Sequence, residues 1–245
     1  MENSKIAIVI TAAGSSTRIG GNTKKEYLPL DDGTVLSNCV SIFLNTTLND
    51  FSITDFIITC PEGKIEQSRT AVECDKHTKK LLNTLSKKNH ITIDYIEGGK
   101  TRQSSVFNAL TKIKNSPEIV LIHDGARPFV TQNVILRCIK AAFENGASVP
   151  GITPTDTQKQ IDENGFIAAH LQRNMLVAVQ TPQCFEFKKL FEAHKKAALE
   201  KKEYTDDTEI WGVYCGKVKV VEGDYGNIKI TYQSDIEKLG AKKND

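Results

Sequence analysis

IAIVITAAGSSTR, at residues 6–18, is the segment of this 245-residue chain that most strongly indicates its fold. Its first five residues are apolar and mostly β-branched, as in a buried strand, and small residues follow soon after. Gly14 and the serines after it add no bulk, so backbone N–H groups in this turn can approach phosphate oxygens. Arg18, Lys24 and Lys25 then supply positive charge. Together these features predict a grip for a nucleoside triphosphate.

The spacing excludes two common phosphate-binding folds. It matches neither G-x-G-x-x-G, which is typical of dinucleotide-binding folds, nor the G-x-x-x-x-G-K-[ST] of P-loop NTPases. Taken alone, the segment could also be an ordinary small-residue turn after a strand. Its interpretation therefore depends on the rest of the chain.

Length and charge narrow the class of protein. A chain of 245 residues can form one large α/β domain, and we predict a single domain over residues 1–245. Charged residues make up 25% of the chain and the net charge is only +2, so no overall field attracts nucleic acid or an anionic membrane. We expect neither as a partner.

The cysteines and the apolar runs bear on the cellular compartment. Six cysteines form no C-x-x-C pair, which argues against both a zinc site and a disulfide framework. The first residues lack the cationic start and apolar core typical of a secretory leader, and no apolar stretch reaches about 20 residues, the length a membrane-spanning helix needs, so we expect neither secretion nor membrane spanning. We expect a cytoplasmic protein.

Strand-like and helix-like segments alternate along the chain. Buried strands are predicted at 6–11, 53–60, 91–96, 119–122 and 147–152, and helices at 35–44, 64–87, 102–113 and 131–145. Such alternation predicts an α/β, Rossmann-like fold, with a mostly parallel sheet and helices on both faces. Ligands bind at the carboxyl ends of the strands in these sheets, where the loop after residue 11 lies.

Two later segments depart from this alternation. Residues 153–180 are polar and turn-rich around Asp162-Glu163-Asn164-Gly165, which predicts a protruding β-hairpin arm. A last helix-strand-helix section from residue 188, through 218–221 and 228–231, to residue 239 should complete the sheet. An isolated hairpin is barely stable in water, so the arm should pack on something.

Four motifs, in this order and spacing, carry a resemblance to a known family. They are the loop after residue 11, GGKTRQSS at 98–105, IHDGARP at 122–128, and TPQ at 181–183 with NIKIT at 227–231. Together they resemble the cytidylyltransferases that make CDP-linked polyol phosphates, most closely those that act on 2-C-methyl-D-erythritol 4-phosphate. The resemblance extends from residue 6 to about residue 239, and it implies CTP and a polyol phosphate as substrates.

Cations near the first loop would serve the chemistry of this family. Nucleotidyl transfer requires positive charge around the attacked α-phosphate, where negative charge grows. The resemblance implies that Arg18, Lys25 and Lys229 supply it. The family's usual proline-lysine pair is Lys24-Lys25 here, and we assign the role to Lys25 because its distance to the following Tyr-Leu is kept. Lys24 is the alternative, and Lys229 by itself could be a solvated strand lysine.

The glycine-rich motif at 98–105 has two compatible interpretations. Its exposed backbone groups and Ser105 could read a pyrimidine edge, or Thr101 could cap a helix that follows a glycine turn. The resemblance implies that cytosine recognition and nucleotide binding involve seven residues, namely Ala12, Ala13, Gly14, Gly99, Lys100, Ser105 and Asp124.

A carboxylate and an arginine follow the strand at 119–122. Asp124 could hold Mg²⁺ or bind a sugar hydroxyl, and Arg127 could hold a phosphate of the acceptor. An internal Asp-Arg salt bridge that shapes the loop is the alternative. His123 fits a packed histidine better than a catalytic base, because an ionised phosphate nucleophile needs none. Mg²⁺ or another divalent cation is the expected cofactor.

The arm and a nearby motif complete the expected acceptor site. The resemblance implies a homodimer in which Thr157 and Arg173 reach the partner's site and hold the acceptor phosphate, with Thr181 near that substrate. From composition alone, the two arm residues are exposed hairpin residues. Asp206 and Asp207 fit a helix cap with an acidic first turn better than a sugar contact.

Three other functions remain as alternatives. A ribitol 5-phosphate cytidylyltransferase would keep the same triphosphate motifs and differ mainly in the arm. A non-catalytic nucleotide-binding module would be expected to lose the cations, which are all present. A dinucleotide-dependent oxidoreductase would need the fingerprint glycines that the first loop lacks.

Overall fold

The computed structural model describes residues 4–14, 24–48, 50–88, 91–232 and 234–235. Within these ranges the strands are β1 (Ser4–Thr11), β2 (Pro29–Leu30), β3 (Gly33–Thr34), β4 (Phe51–Cys60), β5 (Thr92–Glu97), β6 (Ile119–Asp124), β7 (Ala147–Ile152), β8 (Lys159–Ile161), β9 (Ile167–His170), β10 (Ala178–Val179), β11 (Gln183–Glu186) and β12 (Lys219–Glu222). The α-helices are α1 (Val35–Asn45), α2 (Ile65–Glu73), α3 (Lys76–Lys88), α4 (Arg102–Lys112), α5 (Gln132–Asn145), α6 (Phe187–Leu199) and α7 (Asp207–Tyr214).

Eight of these strands form the central sheet. β1 lies at its centre and pairs in parallel with β4 and β6, and β5 extends the sheet beyond β4. On the other side β11 runs antiparallel between β6 and β7, and β12 pairs in parallel with the free edge of β7. The predicted mostly parallel α/β sheet is confirmed. The carboxyl ends of β1, β4, β5 and β6 therefore lie along one edge.

Alternate side chains of β1 enter two different cores. Ile8 packs on one face of the sheet among residues of α1 and α5, including Phe43. Val9 packs on the other face against α4, α6 and α7, including Trp211. Because successive residues of a strand point to opposite faces, an uninterrupted apolar run needs helices on both sides. This burial fixes the position of the loop that follows β1.

Two predicted elements differ from the structure. The predicted helix at 64–87 is two helices, because the Asp75 carboxylate accepts hydrogen bonds from the backbone N–H groups of His77 and Thr78, both at 3.0 Å, and so starts α3 anew. Residues 228–231 form a loop and not a strand. The Ile230 N–H donates a hydrogen bond to the Ala126 carbonyl at 2.9 Å, which ties this loop to the turn after β6.

A hairpin of β8 and β9 projects from the chain at the position predicted for the arm. The Asp162 carboxylate closes its turn by accepting from the N–H groups of Asn164 at 3.0 Å and Phe166 at 2.9 Å. Gly165 has a φ of +85°, which glycine adopts without strain. After a short 3₁₀ helix (Arg173–Met175), β10 returns the chain to the central sheet.

No helix in the described part of the chain is long and apolar enough to cross a membrane. All six cysteines are free thiols, and four of them are buried.

Candidate active site

A cavity of about 440 Å³ opens at the carboxyl edge of the sheet. Its walls come from the turns after β1, β5 and β6, from the 3₁₀ helix Lys25–Tyr27, and from the loop at 227–231. Eight residues predicted for the site line it: Ala13, Gly14, Lys25, Gly99, Lys100, Ser105, Asp124 and Lys229. Residues of all four sequence motifs therefore meet in one place.

Close backbone packing holds the two glycine-containing turns together. A Cβ atom at Gly98 would overlap the Cβ of Ala13, so only glycine lets the turns approach this closely. The Ala12 N–H is held by the Thr59 hydroxyl at 3.1 Å. Ser105 accepts from the Gly99 N–H at 3.0 Å and donates to the Thr101 carbonyl at 2.9 Å, so its hydroxyl shapes the turn.

The start of α4 follows the helix-cap interpretation. Thr101 is the N-cap, its side chain accepts from the Ser104 N–H, and Ser104 returns the bond to the Thr101 backbone. This capping box directs the first helical residue, Arg102, into the cavity wall.

Lys24 and Lys25, which stand where the family usually has a proline-lysine pair, have different environments. Lys24 turns inward, and its Nζ donates to the carbonyls of Ala12 and Gly14 and lies 3.4 Å from a Glu26 oxygen. Burial lowers the pKa of Lys24, and the nearby Glu26 carboxylate opposes this shift. Lys25 lines the cavity. The geometry thus favours Lys25 for contact with a phosphate and gives Lys24 a part in shaping the loop.

Asp124 is the electrostatic centre of the cavity. One carboxylate oxygen lies 2.6 Å from the Lys229 Nζ and 3.8 Å from the Arg127 Nε, and the other lies 3.6 Å from the Arg102 Nε. Burial alone would raise the pKa of Asp124, but the three cations hold this pKa well below its usual range. Three positively charged side chains therefore surround this one carboxylate, which is more positive charge than its neutralisation requires.

A buried hydrogen-bonded chain supports Asp124 from below. Thr181 accepts from the Asp124 N–H at 3.1 Å and contacts the His123 Nδ1 at 3.0 Å, while the His123 Nε2 lies 3.0 Å from the Arg127 carbonyl. Because that carbonyl can only accept, Nε2 carries the proton and Nδ1 accepts from the Thr181 hydroxyl. Burial lowers the pKa of His123 to about 4, so the ring is neutral near pH 7.

These contacts place Thr181 and Arg127 beneath the cavity and not on its wall. Thr181 is 4% exposed. Arg127 donates from Nη1 to the Asn227 carbonyl at 2.6 Å and so ties the loop at 227–231 to the turn after β6. The Arg127 Nε also lies 3.8 Å from an Asp124 oxygen, which matches the alternative of an internal Asp-Arg salt bridge that shapes the loop.

Comparisons with known proteins agree with this geometry. The sequence model of the family described as 2-C-methyl-D-erythritol 4-phosphate cytidylyltransferase matches residues 6–241. The chain belongs to this family. Membership makes it an enzyme, a nucleotidyltransferase of isoprenoid precursor synthesis, as the motifs predicted.

Individual members of the cytidylyltransferase family are similar over nearly their whole length. The Clostridium beijerinckii (strain ATCC 51743 / NCIMB 8052) enzyme of that name is 37% identical, over 94% of this chain and 95% of its own. The Clostridium novyi (strain NT) enzyme is 39% identical, over 95% and 94%. A crystal structure of 4-diphosphocytidyl-2C-methyl-D-erythritolsynthase from Anaerococcus prevotii DSM 20548 superimposes with a TM-score of 0.78 at 27% identity, covering 99% of this chain and 97% of that one.

Some residues expected in a cytidylyltransferase of this family lie away from the cavity of their own chain. Thr157 and Arg173 are exposed on the arm, and the Arg173 Nη1 donates to the Thr155 carbonyl at 2.9 Å. Arg18, together with the serines and threonine before it, lies outside the described residues. Their roles stay predictions.

A charged residue of the cytidylyltransferase site, Arg102, was missed by the sequence reasoning, whereas Asp207 lies in the acidic first turn of α7 as expected. Arg102 lines the cavity, and its Nη1 lies 2.6 Å from an oxygen of the buried Asp207. Asp206 is the N-cap of α7, as expected, and accepts from the Glu209 N–H at 2.9 Å, whereas Asp207 points inward. The sequence did contain a signal for Arg102, because this charged residue directly follows a glycine turn and a helix N-cap.

Proposed function

We propose that this chain transfers the CMP group of CTP to 2-C-methyl-D-erythritol 4-phosphate and releases pyrophosphate, with the cavity at the carboxyl edge as its active site. The observation that carries the proposal is the meeting of Lys25, Lys229 and the glycine-containing turns around one ionised carboxylate. A site of this kind binds polyphosphates, because lysines and free backbone N–H groups both favour negative charge.

The reaction needs charge stabilisation more than proton transfer. A phosphate oxygen of the acceptor attacks the α-phosphorus of CTP, the bond from that phosphorus to the bridging oxygen breaks, and pyrophosphate leaves. Because the acceptor phosphate is already ionised near neutral pH, no general base is required. The buried, neutral His123, whose two ring nitrogens are both engaged, fits this requirement.

Lys25 and Lys229 are the proposed catalytic cations, with Arg18 as a third from the motif resemblance. The Lys229 side chain is 37% exposed and reaches the cavity from the loop at 227–231. A bound α-phosphate would compete with Asp124 for its ammonium group. Preorganised cations at the growing charge are typically the largest single contribution to such a reaction.

The turns after β1 and β5 are the proposed site for the nucleotide. Backbone groups at Ala12, Ala13 and Gly99 are the proposed contacts for the cytosine and ribose, and Ser105 holds the second turn in shape. Lys100 adds charge at the cavity wall. Buried hydrogen bonding of this kind rejects a wrong base strongly, since unmatched polar groups are left unpaired.

Asp124 is the proposed protein ligand of a divalent cation. In the described part of the chain no group of three or more His, Cys, Asp and Glu side chains is arranged to hold a metal. Mg²⁺ commonly binds through one or two carboxylates together with substrate phosphates and water, so Asp124 would fit it once Lys229, at 2.6 Å from its carboxylate, turns to a phosphate. When bound, the cation supplies neutralising charge to the phosphates.

A homodimer is the proposed assembly, with the arm of each chain completing the partner's site. The arm exposes apolar side chains that a monomer would leave in water, such as Phe166 at 73% and Met175 at 78%. It also carries Thr157 and Arg173, which the family resemblance assigns to the acceptor phosphate. Burial of the apolar side chains against a second chain would bring both residues to a phosphate site.

Pyrophosphate release tests the function. The assay contains Mg²⁺ and CTP with either 2-C-methyl-D-erythritol 4-phosphate or ribitol 5-phosphate as acceptor, and UTP serves as the control donor. Turnover with CTP and the first acceptor supports the proposal. Turnover with ribitol 5-phosphate alone would assign a different acceptor, and turnover with neither would show a non-catalytic protein.

A further inference from the structure

A buried row of charged and polar side chains lies directly behind the cavity wall. The Arg102 Nη1 lies 2.6 Å from the Asp207 Oδ2, and the Asp207 Oδ1 lies 3.0 Å from the His194 Nε2. The side chains of Asp207 and His194 are both 0% exposed. The row joins α4, α6 and α7, and it ends at Asp124 through the 3.6 Å approach of the Arg102 Nε.

The cations around Asp124 are held in different ways. Lys229 reaches Asp124 from a loop, at 2.6 Å, and is the more exposed of the two side chains, at 37% against 27% for Arg102. Arg102 makes its short contact to Asp207, which lies in the protein interior. A bound phosphate can therefore draw Lys229 away more easily than Arg102.

We propose that Asp207 is a positioning residue for cytidylyl transfer, because it holds Arg102 beside Asp124 while Lys229 turns to the substrate phosphate. The inference rests on the proposed function. With Arg102 anchored, Asp124 keeps a neighbouring positive charge throughout the reaction and stays in place. Without the anchor, the guanidinium would pair with the triphosphate and leave the Asp124 carboxylate, in a largely buried place, with the more distant Arg127 Nε at 3.8 Å as its remaining cation.

The surroundings of Asp207 support a fixed role. Asp207 is the first residue of α7, directly after the N-cap Asp206, where a carboxylate is favoured. Its second partner, His194, is held from the other side by the ring of Phe107, with ring centroids 6.1 Å apart and planes 6° from parallel. Opposing charge from Arg102 keeps the pKa of Asp207 low despite the unfavourable effect of burial. The anchor is thus built from three packed helices.

The test compares Asp207→Asn with Asp55→Asn, a matched control. Asp55 is also fully buried, and it accepts from the Lys114 N–H at 3.0 Å in a polar cluster towards the amino ends of the strands. We expect Asp207→Asn to lower kcat by about tenfold or more while KM for CTP changes by less than about twofold, as for a small misplacement of a catalytic group. Asp55→Asn should lower the melting temperature and leave kcat unchanged.

A chemical rescue provides a second test. In Arg102→Ala the Asp207 carboxylate remains, so added guanidinium ion should occupy the vacated position and restore part of the lost kcat. The same ion should restore nothing in the double variant with Asp207→Asn. If Asp207→Asn alone fails to fold, the rescue of Arg102→Ala still tests the positioning role, because Arg102→Ala alters a partly exposed side chain.

Each outcome bears on a distinct statement. A folded Asp207→Asn variant with the wild-type kcat, an equal loss of kcat in the Asp55→Asn control, or an absence of guanidinium rescue in Arg102→Ala would overturn the positioning role alone. A wild-type protein that transfers no cytidylyl group to either acceptor would overturn the proposed function and this inference with it.

Discussion

The cavity and the arm are two parts of one proposed site, and the chain builds them in opposite ways. Around the cavity, charged side chains meet partners from the same chain, as Asp124 meets Lys229 and Arg102. On the arm the large apolar side chains face water, with Ile161 at 63% and Phe166 at 73% exposure. The cavity is preorganised by its own fold, whereas the arm has the surface of an element that packs on another chain.

A local structure is well defined where contacts with the core of its own chain hold it. The turns at the cavity follow strands that are buried on both faces, so their backbone positions are set by the core. A two-stranded hairpin such as β8 and β9 is marginal by itself and gains stability only when it is covered. We therefore expect changes in the cavity to affect catalysis within one chain, and changes in the arm to act across two chains.

The largest effect is expected within the cavity. Lys25→Ala should lower kcat by a factor of 10² or more, since removing one preorganised charge from a transition state typically costs ~3 to 4 kcal/mol. Steady-state kinetics with CTP and the methylerythritol acceptor measures this. The control is Lys112→Ala, an exposed lysine at the end of α4 that should retain full activity. A loss of less than fivefold in Lys25→Ala would remove Lys25 from the proposed catalytic group.

The next effect is expected on the arm. Arg173→Ala should raise KM for the acceptor by about tenfold and leave KM for CTP nearly unchanged, because a charge-assisted bond to a phosphate contributes roughly 1.5–3 kcal/mol. Arg137→Ala is the matched control, since Arg137 also donates to a backbone carbonyl, that of Glu222 at 2.9 Å, but lies off the arm. Equal changes in both KM values would refute the acceptor role.

Some features of the cavity could be predicted from the sequence and others could not. The apolar runs of β1 and β6 and the small residues after them fixed the edge of the sheet where ligands would bind, since burial on both faces leaves a clear pattern. The Ile-Lys-Ile alternation at 228–230 gave a misleading strand signal. That segment bonds to the turn after β6, and its function in the site is to carry Lys229.

Pairing between residues far apart in the chain could not be predicted from the sequence. Arg102 and Asp207 are 105 positions apart, and only the packing of α4 against α6 and α7 brings them together. Lys24 and Lys25 are adjacent, yet one turns to backbone carbonyls and the other to the cavity. Residue type and spacing identified the motif, but the direction of each side chain depends on its neighbours in space.

A smaller effect within the cavity is expected from Lys24. Lys24→Met keeps the length of the side chain but removes its bonds to the Ala12 and Gly14 carbonyls. Because a net hydrogen bond contributes about 1 kcal/mol, KM for CTP should rise by about fivefold with little change in kcat. Kinetics at saturating acceptor measures both. If kcat instead falls by a factor of about 10² at constant KM, Lys24 and not Lys25 is the catalytic lysine.

The smallest change, a partial recovery, tests whether cavity and arm belong to one site built from two chains. At an acceptor concentration well below KM, Lys25→Ala and Arg173→Ala chains should each be poorly active alone. In a mixed dimer one site would receive both substitutions and the other neither. Random mixing in equal amounts should therefore restore about a quarter of the wild-type activity, because half of the dimers are mixed and each has one intact site. Isolated mixed dimers that show no recovery would place each site within a single chain, and the arm would then serve assembly alone.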